Sequence, residues 1–177
     1  MGTGGICVTI ITYQSSNVLR ILKQNRVYRA YPSLKYKKEY AALIDMLGLH
    51  CVCPVFGVLP HHRQNTNGKV SSSVRLVLEV PDEHVKLTEY GVWADFLYFS
   101  RFSKPDDYRK LMPDCDEITQ QAYTDLIRDL TEQRPSRSYR TPQAVLEEIL
   151  PEWVIGAKKV DHETLVDRIL SWFGGKR

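Results

Sequence analysis

Five of the six residues in Val8-Thr9-Ile10-Ile11-Thr12-Tyr13 are β-branched. Such a run reads as a buried strand. It is followed at once by Ser15 and Ser16, either of which can cap a helix whose Val18, Leu19, Ile21 and Leu22 form one apolar stripe. The rest of the chain follows without regular strand-helix-strand alternation. Tyr36 to Leu47 repeats the helical stripe and Gly48 stops it, while Cys51 to Leu59 reads as a second strand. The polar stretch from His61 to Ser73 contains Asn67-Gly68, a hairpin turn or an exposed loop. Val74 to Val80 is a strand closed by Pro81-Asp82, with a short strand near Val85 to Leu87. Asp116 to Gln133 is a helix carried by Ile118, Ala122, Tyr123, Leu126, Ile127 and Leu130. This order of elements predicts an α+β fold.

The chain has 177 residues, 43% of them apolar and 25% charged, which suits one domain. A chain of this size buries roughly 70% of the surface it exposes unfolded, so its core needs no metal or disulfide. The expected domain is 1–177, with 1–6 a flexible lead-in and 161–173 a helix packed on the domain through Leu165, Val166, Ile169, Leu170 and Phe173. No apolar run is long enough for a membrane span, and the start lacks the pattern of a secretory signal. Four cysteines are too few for a disulfide scaffold, and with the missing signal they point to a reducing, cytoplasmic setting. The net charge of +3 identifies no partner by itself.

The segment 141–155 reads in two ways. Thr141-Pro142 resembles a helix start, with Ala144, Leu146 and Glu147 as good helix formers. Val145 to Leu150 reads equally as a strand ended by Pro151. A helix there removes Glu148 from any site built on a strand.

The polar strand end Thr12-Tyr13-Gln14, running into Asn17 to Asn25, resembles the opening of the ADP-ribosyltransferase fold. The stretch Glu148-Ile149-Leu150-Pro151 is similar to the glutamate-bearing strand of that family. The chain also resembles an uncharacterised bacterial family of about this length, through Leu76 to Asp82, Trp93, Gln143-Ala144 and Trp153-Val154. The transferase resemblance implies two small mixed or antiparallel sheets around a cleft, with NAD as the substrate in it. It implies Glu148 as the catalytic carboxylate, with Glu147 the alternate, and Thr12, Tyr13, Gln14, Arg29 and Trp93 as NAD contacts. It implies a toxin-like or phage-defence effector that modifies nucleic acid, RNA or single-stranded DNA, and an antitoxin partner. Many members of that fold carry His or Arg on the first strand, where this chain has Thr12 and Tyr13, and a Glu-x-Glu pair would need an acid at Leu146.

The chemistry asks for these residue types. Breaking the nicotinamide–ribose bond passes through a cation-like sugar, which a carboxylate stabilises and whose acceptor it can deprotonate. Guanidinium matches phosphate oxygens in pairs. Two clusters combine cations with rings, as an unpaired nucleic-acid strand requires. One spans Arg26 to Tyr40 and includes Lys35, Lys37 and Lys38; the other is Arg134, Arg137, Tyr139 and Arg140. Taken without the resemblance, the glutamates and lysines are solvated faces, the tyrosines core, and Thr12 to Gln14 a strand end that satisfies backbone groups. The same sequence then describes a non-catalytic nucleic-acid-binding or protein-interaction domain. A zinc site on His50, Cys51, Cys53, His61 and His62 is the rival constellation. It lacks the paired spacing of zinc modules, and no metal is assigned.

Overall fold

The computed structural model describes residues 6–32, 34–60, 73–104, 107–111 and 114–160. The β-branched run forms β1 (Cys7–Gln14) and passes through Ser15 into α1 (Ser16–Lys23), which buries Val18 and Leu22. A 3-10 turn at Leu34–Tyr36 leads into α2 (Lys37–Leu47). Gly48 ends that helix in the left-handed conformation, φ 62°, where a glycine carries no Cβ penalty. Next come β2 (Val55–Val58), β3 (Val74–Pro81), a 3-10 turn at Asp82–His84, and β4 (Lys86–Glu89). Then follow α3 (Tyr90–Phe99), the short strands β5 (Ser103–Lys104) and β6 (Asp107–Leu111), and α4 (Glu117–Thr131). Asp116 caps α4 by accepting the Thr119 N–H at 2.7 Å. The chain ends its described part with β7 (Pro142–Leu146) and β8 (Val154–Lys159).

The class is α+β. Six strands form one antiparallel sheet in the order β4-β7-β2-β1-β3-β8, and β5 and β6 form a two-stranded ribbon among the described residues. One large sheet and a separate ribbon thus replace the expected two small sheets around a cleft. β1 and β3 pair along their whole length, Cys7 with Pro81 through Gln14 with Val74. β2 approaches β1 closely at Gly57, where a Cβ would collide with Ile10 and stand 3.1 Å from the Ile11 carbonyl.

Two cores flank the sheet. The first gathers Ile10, Leu76, Leu78 and Leu146 under α1, with Ile149 and Trp153. The second gathers Leu43, Trp93, Phe96, Tyr123 and Leu130 from α2, α3 and α4 against Val145. All five residues of β7 are buried, with Ala144 and Leu146 in one core and Val145 in the other. A strand covered on both faces loses the alternation that marks a strand in sequence, hence the two readings of this segment. Its extended form holds from Pro142 to Leu146, and Glu147 and Glu148 follow just past its end.

Other differences are local. The predicted strand from Cys51 to Leu59 is confined to Val55–Val58. Cys51 to Cys53 form bends before it. Ile118 and Ala122, assigned to the apolar stripe of α4, are both exposed, Ile118 at 82%, and the stripe is buried from Tyr123 on. The Asn67-Gly68 turn and the 161–173 helix lie outside the described residues. Among those residues, no helix is long and apolar enough to cross a membrane.

Candidate functional site

The residues after α1 and after β7 are stitched together. Tyr28 N–H donates to Ile149 O and Ile149 N–H to Tyr28 O, both at 2.9 Å. That antiparallel bridge sets Arg29 opposite Glu148, and their side chains form an ion pair at 2.6 Å. Glu147 is fixed differently, its Oε1 accepting the His50 backbone N–H at 2.9 Å. Both glutamates line a hollow of about 290 Å³, together with Glu83, His84, Lys86 and Trp153. His84 lies 5.3 Å from the Trp153 ring, centroid to centroid. Three carboxylates against one ammonium and one imidazole make this an acid-rich hollow, suited to a ligand that carries or develops positive charge.

A second hollow, about 420 Å³, shares Glu83 and Lys86 with the first and extends to Gln133, Arg134, Pro135 and Ser136. Of the second basic cluster, Arg134 lines it, while Arg137 and Arg140 are exposed in the same loop. Arg140 N–H donates to Glu89 Oε2 at 2.7 Å, which fixes the backbone entering β7.

The tip of β1 reaches the same end of the sheet but neither hollow. Antiparallel pairing of Ile11 with Val58 carries Gln14 to the level of Val55, and Val55 pairs with Leu146. The end of β1 is therefore about 10 Å from that of β7, with β2 between them. Thr12 is 1% exposed. Its hydroxyl donates to Phe56 O at 2.7 Å and accepts from Gln14 Nε2 at 2.8 Å. Tyr13 is half-buried and points to the opposite face of the sheet from Thr12. Thr12, Tyr13 and Gln14 line neither hollow. Trp93, 5% exposed, is stacked between Tyr40 and Phe96 in the second core and lines neither hollow.

The lysine cluster sits at the start of α2. Lys35 lies over the Tyr36 ring at 5.0 Å, Lys38 Nζ donates to Ser100 O at 2.8 Å, and Lys37 is exposed. None of the three lines the hollows.

The cysteines beside the site are held as thiols. Burial, then the Glu147 carboxylate and Cys53, push Cys51 up to about 11, and burial also raises Cys53. A thiol is inert toward electrophiles until ionised. Alkylation of Cys51 by iodoacetamide is therefore expected to be slow at pH 7.5 and to accelerate about tenfold per pH unit up to about pH 11. A rate that levels off below pH 9, read by peptide mass mapping, contradicts this environment. Among the described residues, no three His, Cys, Asp or Glu side chains are grouped to hold a metal ion, and His61 and His62 lie outside those residues.

Sequence reasoning missed Glu83, His84 and Lys86, and Trp153, a residue of the first core, also borders the hollow. The signal available was the turn-forming Pro81-Asp82 followed at once by charged residues, between two strands of one sheet. The chain matches no known protein-family model, no curated protein and no solved structure.

Proposed function

We propose that this protein is an NAD-dependent ADP-ribosyltransferase that modifies nucleic acid. The observation carrying this reading is that Glu147 and Glu148, at the end of an extended segment, line one acid-rich hollow. Glu148 is the carboxylate beside the ribose, where it stabilises the cation-like sugar and takes the proton of the acceptor. Arg29 keeps the Glu148 side chain in one orientation through their ion pair and supplies a guanidinium near the diphosphate. His84, backed by the buried Trp153 ring, offers a ring face to the nicotinamide or adenine. Thr12 and Gln14 act at one remove, holding the end of β1 against β2 through their hydrogen bonds. The neighbouring hollow, with Arg134, receives the acceptor. An enzyme that modifies nucleic acid in its own cell needs restraint, so an effector toxin or phage-defence role with an antitoxin partner belongs to the same reading.

Titration with NAD tests it. NAD at a hundredfold excess over its Kd is expected to raise Tm by about 5–10 °C, and tagged NAD to label single-stranded nucleic acid. A melting curve unmoved by millimolar NAD, with no label transferred, overturns the reading.

A second reading, nucleic-acid binding without transfer, is favoured by the exposed positions of Lys37, Arg137 and Arg140 and by Tyr31, which is 91% exposed. It expects salt-sensitive binding that is indifferent to NAD and to Glu148.

A further inference from the structure

Arg134 is built into the wall of the larger hollow. Its backbone N–H donates to Tyr139 Oη at 3.1 Å, and its guanidinium lies over the Tyr139 ring, 4.9 Å from the centroid. Tyr139 is itself 3% exposed, its hydroxyl reaching the Glu132 and Leu87 carbonyls. The preceding Gln133 clamps β4, its Oε1 accepting Leu87 N–H at 2.9 Å and its Nε2 donating to Leu87 O at 3.1 Å. The guanidinium is thus held rigidly, yet its Nε is buried with no hydrogen-bond partner, and among the described residues it forms no ion pair. The positive charge of a side chain that lines the hollow is therefore met by no carboxylate of those residues, and an anion entering the hollow finds a cation already held in place.

The other residues of the hollow narrow the class of anion. Lys86 adds a second cation, Val8 and Leu87 an apolar wall, and Asp82 and Glu83 two carboxylates. Those carboxylates repel a bare anion but accept hydrogen bonds from hydroxyl or amino groups. Cations, acids and an apolar wall together match the phosphate, ribose hydroxyls and base of a nucleotide.

We infer that the Arg134 hollow is a nucleotide site in which Arg134 and Lys86 hold a phosphate and Asp82 and Glu83 accept from the sugar. The site deepens the reading that this hollow receives the acceptor and rests on it only for location, because it binds whether or not ribose is ever transferred. The phosphate comes either from a free nucleotide or from the backbone of a single strand.

The test is fluorescence anisotropy of a labelled single-stranded RNA 12-mer, with calorimetric titration of adenosine monophosphate, adenosine and inorganic phosphate, all without NAD. The monophosphate is expected to bind about tenfold more tightly than adenosine or phosphate if the site takes free nucleotides. If it takes strand phosphates, only the 12-mer binds. Either way Arg134→Gln weakens binding about tenfold, Arg134→Lys recovers part of the loss, and Arg128→Gln on α4 changes it by less than about twofold. Should Arg134→Gln unfold, as its stacking on Tyr139 permits, Lys86→Gln carries the test with a loss of about threefold or more. Adenosine binding as tightly as the monophosphate overturns the inference. So does affinity unchanged in both Arg134→Lys and Lys86→Gln, or no binding of any probe. Because NAD is absent throughout, none of these outcomes decides whether Glu148 transfers ribose.

Discussion

Phe96→Ala is expected to lower Tm by about 6–20 °C, following a loss of about 3–5 kcal/mol for emptying a fully buried aromatic position. Phe96 has no exposed surface. It stacks on Trp93 at 5.6 Å and on Tyr123 at 6.3 Å between ring centroids, and meets Tyr108 edge-on at 6.4 Å. Those partners come from α3, α4 and β6, so the cavity would open where three elements meet. Tyr123 is pinned by its hydroxyl bond to the Tyr108 carbonyl and cannot swing in to fill it. Phe96→Leu keeps most of the volume and should retain more than half of the lost stability. Thermal melts of both variants check this, and an alanine variant within about 2 °C of the parent contradicts the packing described.

Glu148→Gln is expected to reduce label transfer from NAD about 10²–10³-fold while leaving the fold in place. The substitution keeps the shape and hydrogen-bonding reach of the side chain and removes its charge. The Arg29 partner is 72% exposed and Glu148 27%, so the pair lies close to water and adds about 0–1 kcal/mol to stability at most. Tm should therefore fall by no more than about 4 °C. Arg29→Gln shifts Tm similarly but costs transfer only about tenfold, since it loosens the orientation of the carboxylate without removing it. Equal transfer by Glu148→Gln and the parent removes Glu148 from the chemistry. Equal losses in the two variants make the ion pair, and not the carboxylate, the feature that matters.

What the sequence revealed depended on how each element is covered. β3 is legible because its even-numbered residues, Val74 to Val80, are all apolar and enter one core, while Arg75 and Glu79 mark the other face. α4 keeps its helical period because only one stripe is buried, at Tyr123, Leu126 and Leu130. α3 went unread because Tyr90 to Phe99 is apolar or aromatic nearly throughout: Trp93 and Phe96 are buried while Tyr98 is 58% exposed, so no stripe stands out. β7 was ambiguous for the opposite reason, being buried on both faces. Arg29 and Glu148 were each singled out, but their meeting depends on the Tyr28–Ile149 bridge, a pairing between distant segments with no local signature. The hollow likewise joins the turn after β3 to the end of β7, two pieces that only the sheet order β4-β7 brings side by side.

The location of a bound nucleotide tests the central claim most directly. A crystal structure of the protein with a non-hydrolysable NAD analogue should show the nicotinamide ribose in the hollow lined by Glu147, Glu148, His84 and Trp153, within hydrogen-bond reach of the Glu148 carboxylate. An analogue bound elsewhere on the sheet, or with its ribose beyond reach of both glutamates, contradicts the account.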